Sequence, residues 1–325
     1  MRVEKISRSI AMAACASMAL YLATPSQAAA PESEDPILLV LNNWTSQVVL
    51  ANVTAKLLRD MGYTVELKPS DTQLQYTAMG NGDLHAQVEV WEGTMKKPFE
   101  AQVNAGKMID AGAHSAKTRE DWWYPIYVEE VCPGLPNWEA LKDCAEALGT
   151  PETLPKGRYL AGPVDWEKPD QERVDALDLP IEIVNAGQAS TLWAELASAS
   201  KHKEPIILFN WTPNWVEAKF EGKFIDFPDN DERCETDASW GINPNATHDC
   251  GNPKAGWLKK GVWAGMKDKW PCAFQLIQNM DFDNAMIANA AALVDVEEME
   301  PEAAASKWLS DNQDVASGWI PASCS

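Results

Sequence analysis

Apolar residues recur along the chain at two different spacings, which together predict strands that alternate with helices. Short apolar runs bounded by Gly, Pro or Asn predict strands at 37–44, 64–69, 84–91, 158–163, 181–187 and 205–211. Apolar residues three or four positions apart predict helices at 46–63, 72–83, 137–148, 170–179 and 189–203. Alternation of this kind is typical of the α/β class with a mainly parallel sheet, and it occurs here in two blocks.

The last third of the chain follows a different pattern. Residues 228–271 are rich in Asp, Asn, Gly, Pro and Trp and show neither spacing, so they predict an irregular segment. Helical spacing then returns and predicts three helices at 271–280, 283–294 and 300–312.

The N-terminus has the pattern of a secretory signal peptide. Arg2, Lys5 and Arg8 precede a short apolar run from Ile10 to Ala23, and small residues follow it. We therefore assign 1–29 to a signal peptide and expect a periplasmic protein. No other stretch approaches the ~20 apolar residues that a membrane span needs.

The cysteines favour an exported protein with disulfides, and the net charge argues against a protein that binds nucleic acid. Six cysteines remain beyond the predicted signal, an even number that suggests disulfides in an exported protein. Six cysteines allow 15 sets of pairings. We expect the nearest-neighbour pattern, which is Cys132–Cys144, Cys234–Cys250 and Cys272–Cys324. Buried free thiols are the alternative. The formal net charge of −21 at pH 7 argues against a nucleic-acid partner.

No metal or cofactor motif is evident in the sequence. The four histidines are dispersed, and no CxxC pair occurs. The acidic loop 226–237 could place a structural Ca²⁺ near Asp229 and Asp231, but it lacks the EF-hand spacing, so a solvated loop is the alternative. We therefore expect no cofactor and no catalytic metal.

Tryptophan is unusually abundant and is placed at strand ends. The chain has 15 Trp against 7 Phe and 6 Tyr. Trp44, Trp91 and Trp211 follow or end predicted strands, and Trp166 lies in the loop after another. Ligands of open α/β sheets bind beyond the carboxyl ends of the strands, and indole faces attract quaternary ammonium groups. The pattern therefore suggests an aromatic cage for such a cation.

Several motifs resemble the substrate-binding proteins of glycine betaine/choline/proline-betaine ABC importers. They are NWTSQVV, AMGNGDLHAQVEVWEGT, WWYPIYV, AGPVDW and NAGQASTLWAELASASKHKEPIILFNWTPNW, in order along the chain. The resemblance implies a two-lobed periplasmic-binding-protein fold of type II, with one lobe of 37–125 plus 228–325 and another of 126–227. It also implies a monomer that is not an enzyme and that docks on an ABC permease at the inner membrane.

The resemblance also implies site residues. Trp91, Trp166 and Trp211 match cage positions, Trp44 matches an indole of the choline-binding branch, and Trp123 is preferred to Trp122 as a further aromatic. Asn214 stands where betaine-binding members often have His, and acids flank the motifs. This favours trimethylamine N-oxide or choline over glycine betaine, with Glu130 as the acid that contacts the ligand.

Two alternatives remain open at this point. Trp also stacks on sugar rings, so a sugar- or amino-acid-binding protein of the same fold would show similar features. A secreted hydrolase with paired carboxylates, as in glycosidases, would need two acids in one cleft.

Overall fold

Residues 31–324 are described by a computed structural model; the predicted signal peptide, 1–29, lies outside them. The strands are β1 Ile37–Leu41, β2 Val65–Pro69, β3 Ala86–Trp91, β4 Met108–Pro125, β5 Pro133–Pro136, β6 Gly157–Ala161, β7 Ile181–Asn185, β8 Ile207–Thr212, β9 Gly222–Phe224 and β10 Gly256–Trp263. The helices are α1 Thr45–Asp60, α2 Gln75–Asn81, α3 Glu92–Asn104, α4 Leu141–Cys144, α5 Asp170–Ala176, α6 Ala189–His202, α7 Val216–Lys219, α8 Met266–Lys269, α9 Pro271–Asn279, α10 Asn284–Asp295, α11 Pro301–Asp311 and α12 Gln313–Trp319.

Nine of the ten strands, all except β5, form a mixed sheet in the order β2-β1-β3-β10-β4-β8-β6-β7, with β9 beside β4. Parallel pairs lie at both ends of the sheet, where β1 joins β2 and β3 and where β6 joins β7 and β8. The central strands β10 and β4 run antiparallel to their neighbours. The α/β prediction is confirmed.

One strand, β4, belongs to both halves of the sheet. Up to Thr118 it pairs with β10, and from Arg119 onward it pairs with β8 and β9. We call the side with β1, β2, β3 and β10 the first half and the side with β6, β7, β8 and β9 the second half. The change of partner falls seven residues before the predicted lobe boundary at residue 125, and the boundary itself stays a prediction.

Several elements were not predicted, among them α3, β4 and β10, and one predicted helix is broken. The helix α3 follows Trp91 directly, β4 runs for 18 residues, and β10 crosses the segment that was expected to be irregular. The predicted helix at 137–148 divides into two 3₁₀ turns and the short α4, which ends at Cys144, one partner of the Cys132–Cys144 disulfide.

Three disulfides close the loops in the predicted nearest-neighbour pattern. Their Cα–Cα distances are 5.2, 6.2 and 5.8 Å for Cys132–Cys144, Cys234–Cys250 and Cys272–Cys324. The third bridge links α9 to the segment after α12. Among residues 31–324, no helix combines the length and apolarity that a membrane crossing requires.

Candidate ligand cavity

Four tryptophans meet at the carboxyl ends of four strands. Trp44 follows β1, Trp91 ends β3, Trp166 lies in a turn after β6, and Trp211 lies near the end of β8. All four line one cavity and are nearly buried, with exposures of 3 to 6%. The first two come from the first half of the sheet and the others from the second half, so both halves contribute to one site.

The rings stand edge to face around the cavity. The centroids of Trp44 and Trp166 are 6.2 Å apart with an interplanar angle of 89°, and those of Trp166 and Trp211 are 5.4 Å apart at 80°. Phe209 lies 5.5 Å from Trp166 and completes the aromatic wall. Perpendicular rings of this kind present several π faces to one point, which is the arrangement that surrounds a compact cation.

The cavity is small and mostly apolar. Its empty volume is about 260 Å³, and Thr94, Met95, Glu120 and Phe209 line it together with the four indoles. Phe209 lies two residues before Trp211 on β8, and the alternation of side chains along a strand brings both to the same face.

A buried carboxylate holds two of the indoles. One oxygen of Glu89, on β3, accepts the Nε1–H of Trp44 at 2.7 Å, the Nε1–H of Trp91 at 3.0 Å and the hydroxyl of Ser46 at 3.0 Å. The residue is fully buried. Burial raises the pKa of Glu89 to about 7, while the hydrogen bonds from Trp44, Trp91 and Ser46 act in the opposite direction.

A second acid, Glu120 on β4, lines the cavity itself. Its Oε1 accepts a short hydrogen bond from the Thr94 hydroxyl and lies 3.9 Å from the Nζ of Lys168. Its Oε2 is buried and has no hydrogen-bond partner within residues 31–324. The cavity wall therefore includes a carboxylate, one oxygen of which has no hydrogen-bond partner among the described residues.

Hydrogen bonds across the cleft join the two halves beside the cavity. The indole Nε1–H of Trp166 donates to Asn43 Oδ1 at 3.0 Å, and Thr72 Oγ1 donates to Asp165 at 2.9 Å. Lys168 Nζ donates to the carbonyl of Gly93 at 2.6 Å. These contacts hold Trp166 against the first half, so the cavity is closed on the side of that turn.

Two of the predicted site residues are not brought to the cavity. Trp123 is fully buried and packs against Gly222, where an added Cβ would lie only 2.0 Å from the indole ring. It stands three residues from Glu120 on β4, an odd spacing that turns it to the opposite face of the strand. Glu130 is exposed at the end of the 3₁₀ turn that follows β4. Trp122, the less favoured aromatic, instead stacks on Tyr159 at 3.9 Å.

Other cavity residues were missed by the sequence analysis. Phe209, which lines the cavity, and Glu89, which lies behind two of its indoles, each precede a predicted cage Trp by two residues, so strand alternation could have identified both. Glu120 gave no such signal, because β4 was not predicted as a strand.

The acidic loop offers little sign of a metal site. Asp229 pairs with Lys254 at 3.0 Å, and Asp231 pairs with Arg233 at 2.8 Å. In the described part of the chain, no three His, Cys, Asp or Glu side chains converge in a way that could hold an ion. The calcium suggestion stays an untested prediction.

The fold and the cavity define a two-lobed substrate-binding protein. Residues 35–311 match the OpuAC family, described as the substrate-binding domain of ABC-type glycine betaine transport systems. The chain belongs to this family, whose members bind substrates for transport and are not enzymes. The hydrolase alternative is therefore excluded.

Individual relatives agree with this family. The chain is 40% identical to the trimethylamine N-oxide-binding protein of Pelagibacter ubique over 300 residues, which are 90% of this chain and 92% of that one. Two solved structures share the fold at 18% identity. A glycine betaine/L-proline-binding protein from Borrelia burgdorferi has a TM-score of 0.71 over 89% of this chain and 98% of its own. A choline-binding protein in complex with choline has 0.70, over 89% and 93%.

Proposed function

We propose that the protein binds a small methylated amine in the cavity of Trp44, Trp91, Trp166 and Trp211, and that it delivers this ligand to an ABC permease. The observation that carries the proposal is the convergence of four indoles and one carboxylate, Glu120, on a single small cavity. A trimethylammonium group cannot donate N–H hydrogen bonds and is stabilised instead by aromatic faces and by negative charge.

The same wall supports trimethylamine N-oxide or choline as the ligand in preference to glycine betaine. Among residues 31–324, the lining contains an acid, Glu120, and no Arg or Lys, although Lys168 lies 3.9 Å from Glu120 behind the wall. A betaine carboxylate would meet this acid, whereas choline carries no negative group. The N-oxide has a single oxygen, which could share a proton with Glu120. The Pelagibacter relative, named for binding trimethylamine N-oxide, adds independent support.

Location and assembly form part of the same proposal. A substrate-binding protein of an importer meets its ligand outside the cytoplasm, which agrees with the predicted signal peptide at 1–29 and with the three disulfides. We propose a periplasmic monomer whose predicted lobes, 37–125 plus 228–325 and 126–227, close on the ligand before docking on the permease.

Isothermal titration with a panel of ligands tests the proposal. We expect trimethylamine N-oxide or choline to bind more tightly than glycine betaine, and we expect glucose and glutamate to give no heat of binding. Tryptophan fluorescence should change in the same titrations, because the ligand contacts the indoles. Tighter binding of a sugar or an amino acid than of any methylated amine would overturn the proposal.

A further inference from the structure

Glu89 contacts the indoles of Trp44 and Trp91, which line the cavity, but Glu89 itself does not line the cavity. Its Oε2 accepts both indole N–H groups and the Ser46 hydroxyl, at 2.7 to 3.0 Å. Its Oε1 is buried without a hydrogen-bond partner among the residues that the structure describes. Burial of a carboxylate in such a place costs free energy. A functional effect of Glu89 on the two indoles would explain why the acid is there.

The first effect of Glu89 is geometric. Trp44 follows β1 and Trp91 ends β3, and their N–H groups meet on a single oxygen. Both rings are thereby fixed relative to one another before a ligand arrives. A preorganised wall avoids the entropy cost of ordering two large side chains during binding.

The second effect is electrostatic. An indole whose N–H donates to a carboxylate gains electron density in its ring, which makes the π face more attractive to a cation. The negative charge also acts through the low-dielectric interior, where water does not screen it. Both effects favour a ligand with a positively charged nitrogen over an uncharged ligand of the same shape.

We propose that Glu89 is a positioning and specificity-determining residue of the cavity: it fixes Trp44 and Trp91, and its charge selects cationic ligands over uncharged ones of the same shape. This inference rests on the proposed function. It assigns the choice of ligand charge to a residue that the ligand does not contact.

The charged side chains on elements packed against β3 are engaged with other partners. They include Lys56 with Asp60, Arg59 with the Val65 carbonyl, Glu92 with the Trp257 amide, Lys96 with Glu232, Lys97 with Glu235, Lys259 with Asp110, Lys260 with the Met280 carbonyl, and Glu120 with Lys168. Within residues 31–324, Glu89 therefore has no direct cationic partner, and a cation in the cavity would be its counter-charge.

This arrangement couples binding to pH. Burial raises the pKa of Glu89 to about 7, and a bound cation would favour the ionised form and lower that pKa. Cation affinity should therefore be constant well above pH 7 and should fall as the pH drops through 7, because binding must then displace a proton. An uncharged ligand should show no such dependence on Glu89.

Glu89→Gln tests the proposal with two ligands of one shape: choline and its uncharged isostere, in which carbon replaces the nitrogen. Gln keeps an acceptor oxygen for the indoles but removes the charge. At about pH 8 we expect a roughly tenfold loss of choline affinity and little change for the isostere. The choline affinity of the wild-type protein should fall toward pH 6, and the variant should have a flat profile.

Asp170→Asn is the matched control. Asp170 is a buried acid that accepts the Nε1–H of Trp122 at 2.8 Å, away from the cavity. Its replacement should leave the ratio of choline to isostere affinity unchanged. If Glu89→Gln does not fold, as judged by near-ultraviolet circular dichroism, the wild-type pH profile decides.

Three results would overturn the inference: equal losses for both ligands in Glu89→Gln, a flat wild-type pH profile for choline, or wild-type choline binding no tighter than that of the isostere. In each case, binding of trimethylamine N-oxide by the wild-type protein would leave the proposed function standing. If the wild-type protein binds no methylated amine at all, the proposed function fails and the role of Glu89 fails with it.

Discussion

At the scale of single residues, Trp91 and Trp211 face the cavity from opposite halves of the sheet. Each is nearly buried and lies at the end of a strand, so its backbone is held by sheet hydrogen bonds. Removal of either indole should therefore affect the ligand more than the fold.

We predict that Trp91→Ala and Trp211→Ala each weaken ligand binding by about 1–3 kcal/mol, because each removes one π face from the cation. Isothermal titration with trimethylamine N-oxide or choline measures the loss. Trp240→Ala is the control, because Trp240 lies under Arg233 in the acidic loop and does not line the cavity. Equal losses in all three variants would show that the indoles act through stability alone.

His114 is predicted to make the fold sensitive to acid. Its Nδ1 accepts the amide N–H of Phe282 at 3.1 Å, so its Nε2 carries the proton that is donated to the Val88 carbonyl. Burial, with a smaller contribution from Lys260, lowers the pKa of His114 to about 3. Between about pH 6.5 and 3 the unfolded chain therefore binds a proton that the folded ring rejects, and stability falls as the pH falls.

The measurement is the free energy of unfolding in urea at two pH values. On going from about pH 7.5 to about pH 5, wild-type protein should lose roughly 2 kcal/mol more than His114→Gln. The comparison with the variant is needed because the raised pKa of Glu89 gives the opposite slope between about 4.5 and 7. Parallel pH profiles would exclude this role for His114.

A cavity residue can be predicted from the sequence only when the strand that carries it can be predicted. The four tryptophans could be predicted because they lie at or soon after the ends of strands whose apolar runs are clear in the sequence. Glu120 could not be predicted, because its strand has the pattern of a polar segment, and a preference between Trp122 and Trp123 needs a strand register that the sequence does not show. The structure turns neither of these two indoles into the cavity.

At the scale of elements, the parallel strands were predictable and the two central antiparallel strands were not. The sequence of β4 contains small and charged residues from Asp110 to Asp121, which are poor strand formers. β10 includes Lys259 and Lys260 and is flanked by Gly, Asn and Pro. Lys260 is nevertheless buried, because its amine donates to the Gln278 and Met280 carbonyls near the end of α9. β4 and β10 form strands because they pair with segments that are distant in the sequence. The local pattern of apolar residues does not show such pairing.

The disulfides should stabilise the fold more strongly when they close longer loops, although the effect grows only with the logarithm of loop length. In the chain-entropy account, removing the bridge across 52 residues costs about 4 kcal/mol, and removing the one across 12 costs about 3 kcal/mol. We therefore predict that Cys272→Ala/Cys324→Ala is less stable in urea than Cys132→Ala/Cys144→Ala. The reverse order would show that the shorter bridge, beside the broken helix, is the more important one.

At the scale of the whole molecule, contacts between the two halves should set the affinity without touching the ligand. Asp165 accepts from Thr72 at 2.9 Å and lies in the turn that carries Trp166. Asp165→Ala should weaken binding of every ligand by the same factor, roughly threefold to tenfold, because it removes about one hydrogen bond from the closed form.

Titration with trimethylamine N-oxide and choline tests this expectation. Glu217→Ala, an exposed acid on α7 in the second half, is the control and should change neither affinity. A loss confined to one of the two ligands would mean that Asp165 contributes to ligand selection instead of closure.

The near-complete burial of the four indoles has a kinetic consequence. A ligand surrounded by side chains that are at most 6% exposed has little contact with water while the halves remain together. Its release should then be limited by separation of the halves, and a ligand that stabilises the closed form more strongly should leave more slowly. A permease that separates the halves would speed the release of tightly and weakly held ligands alike.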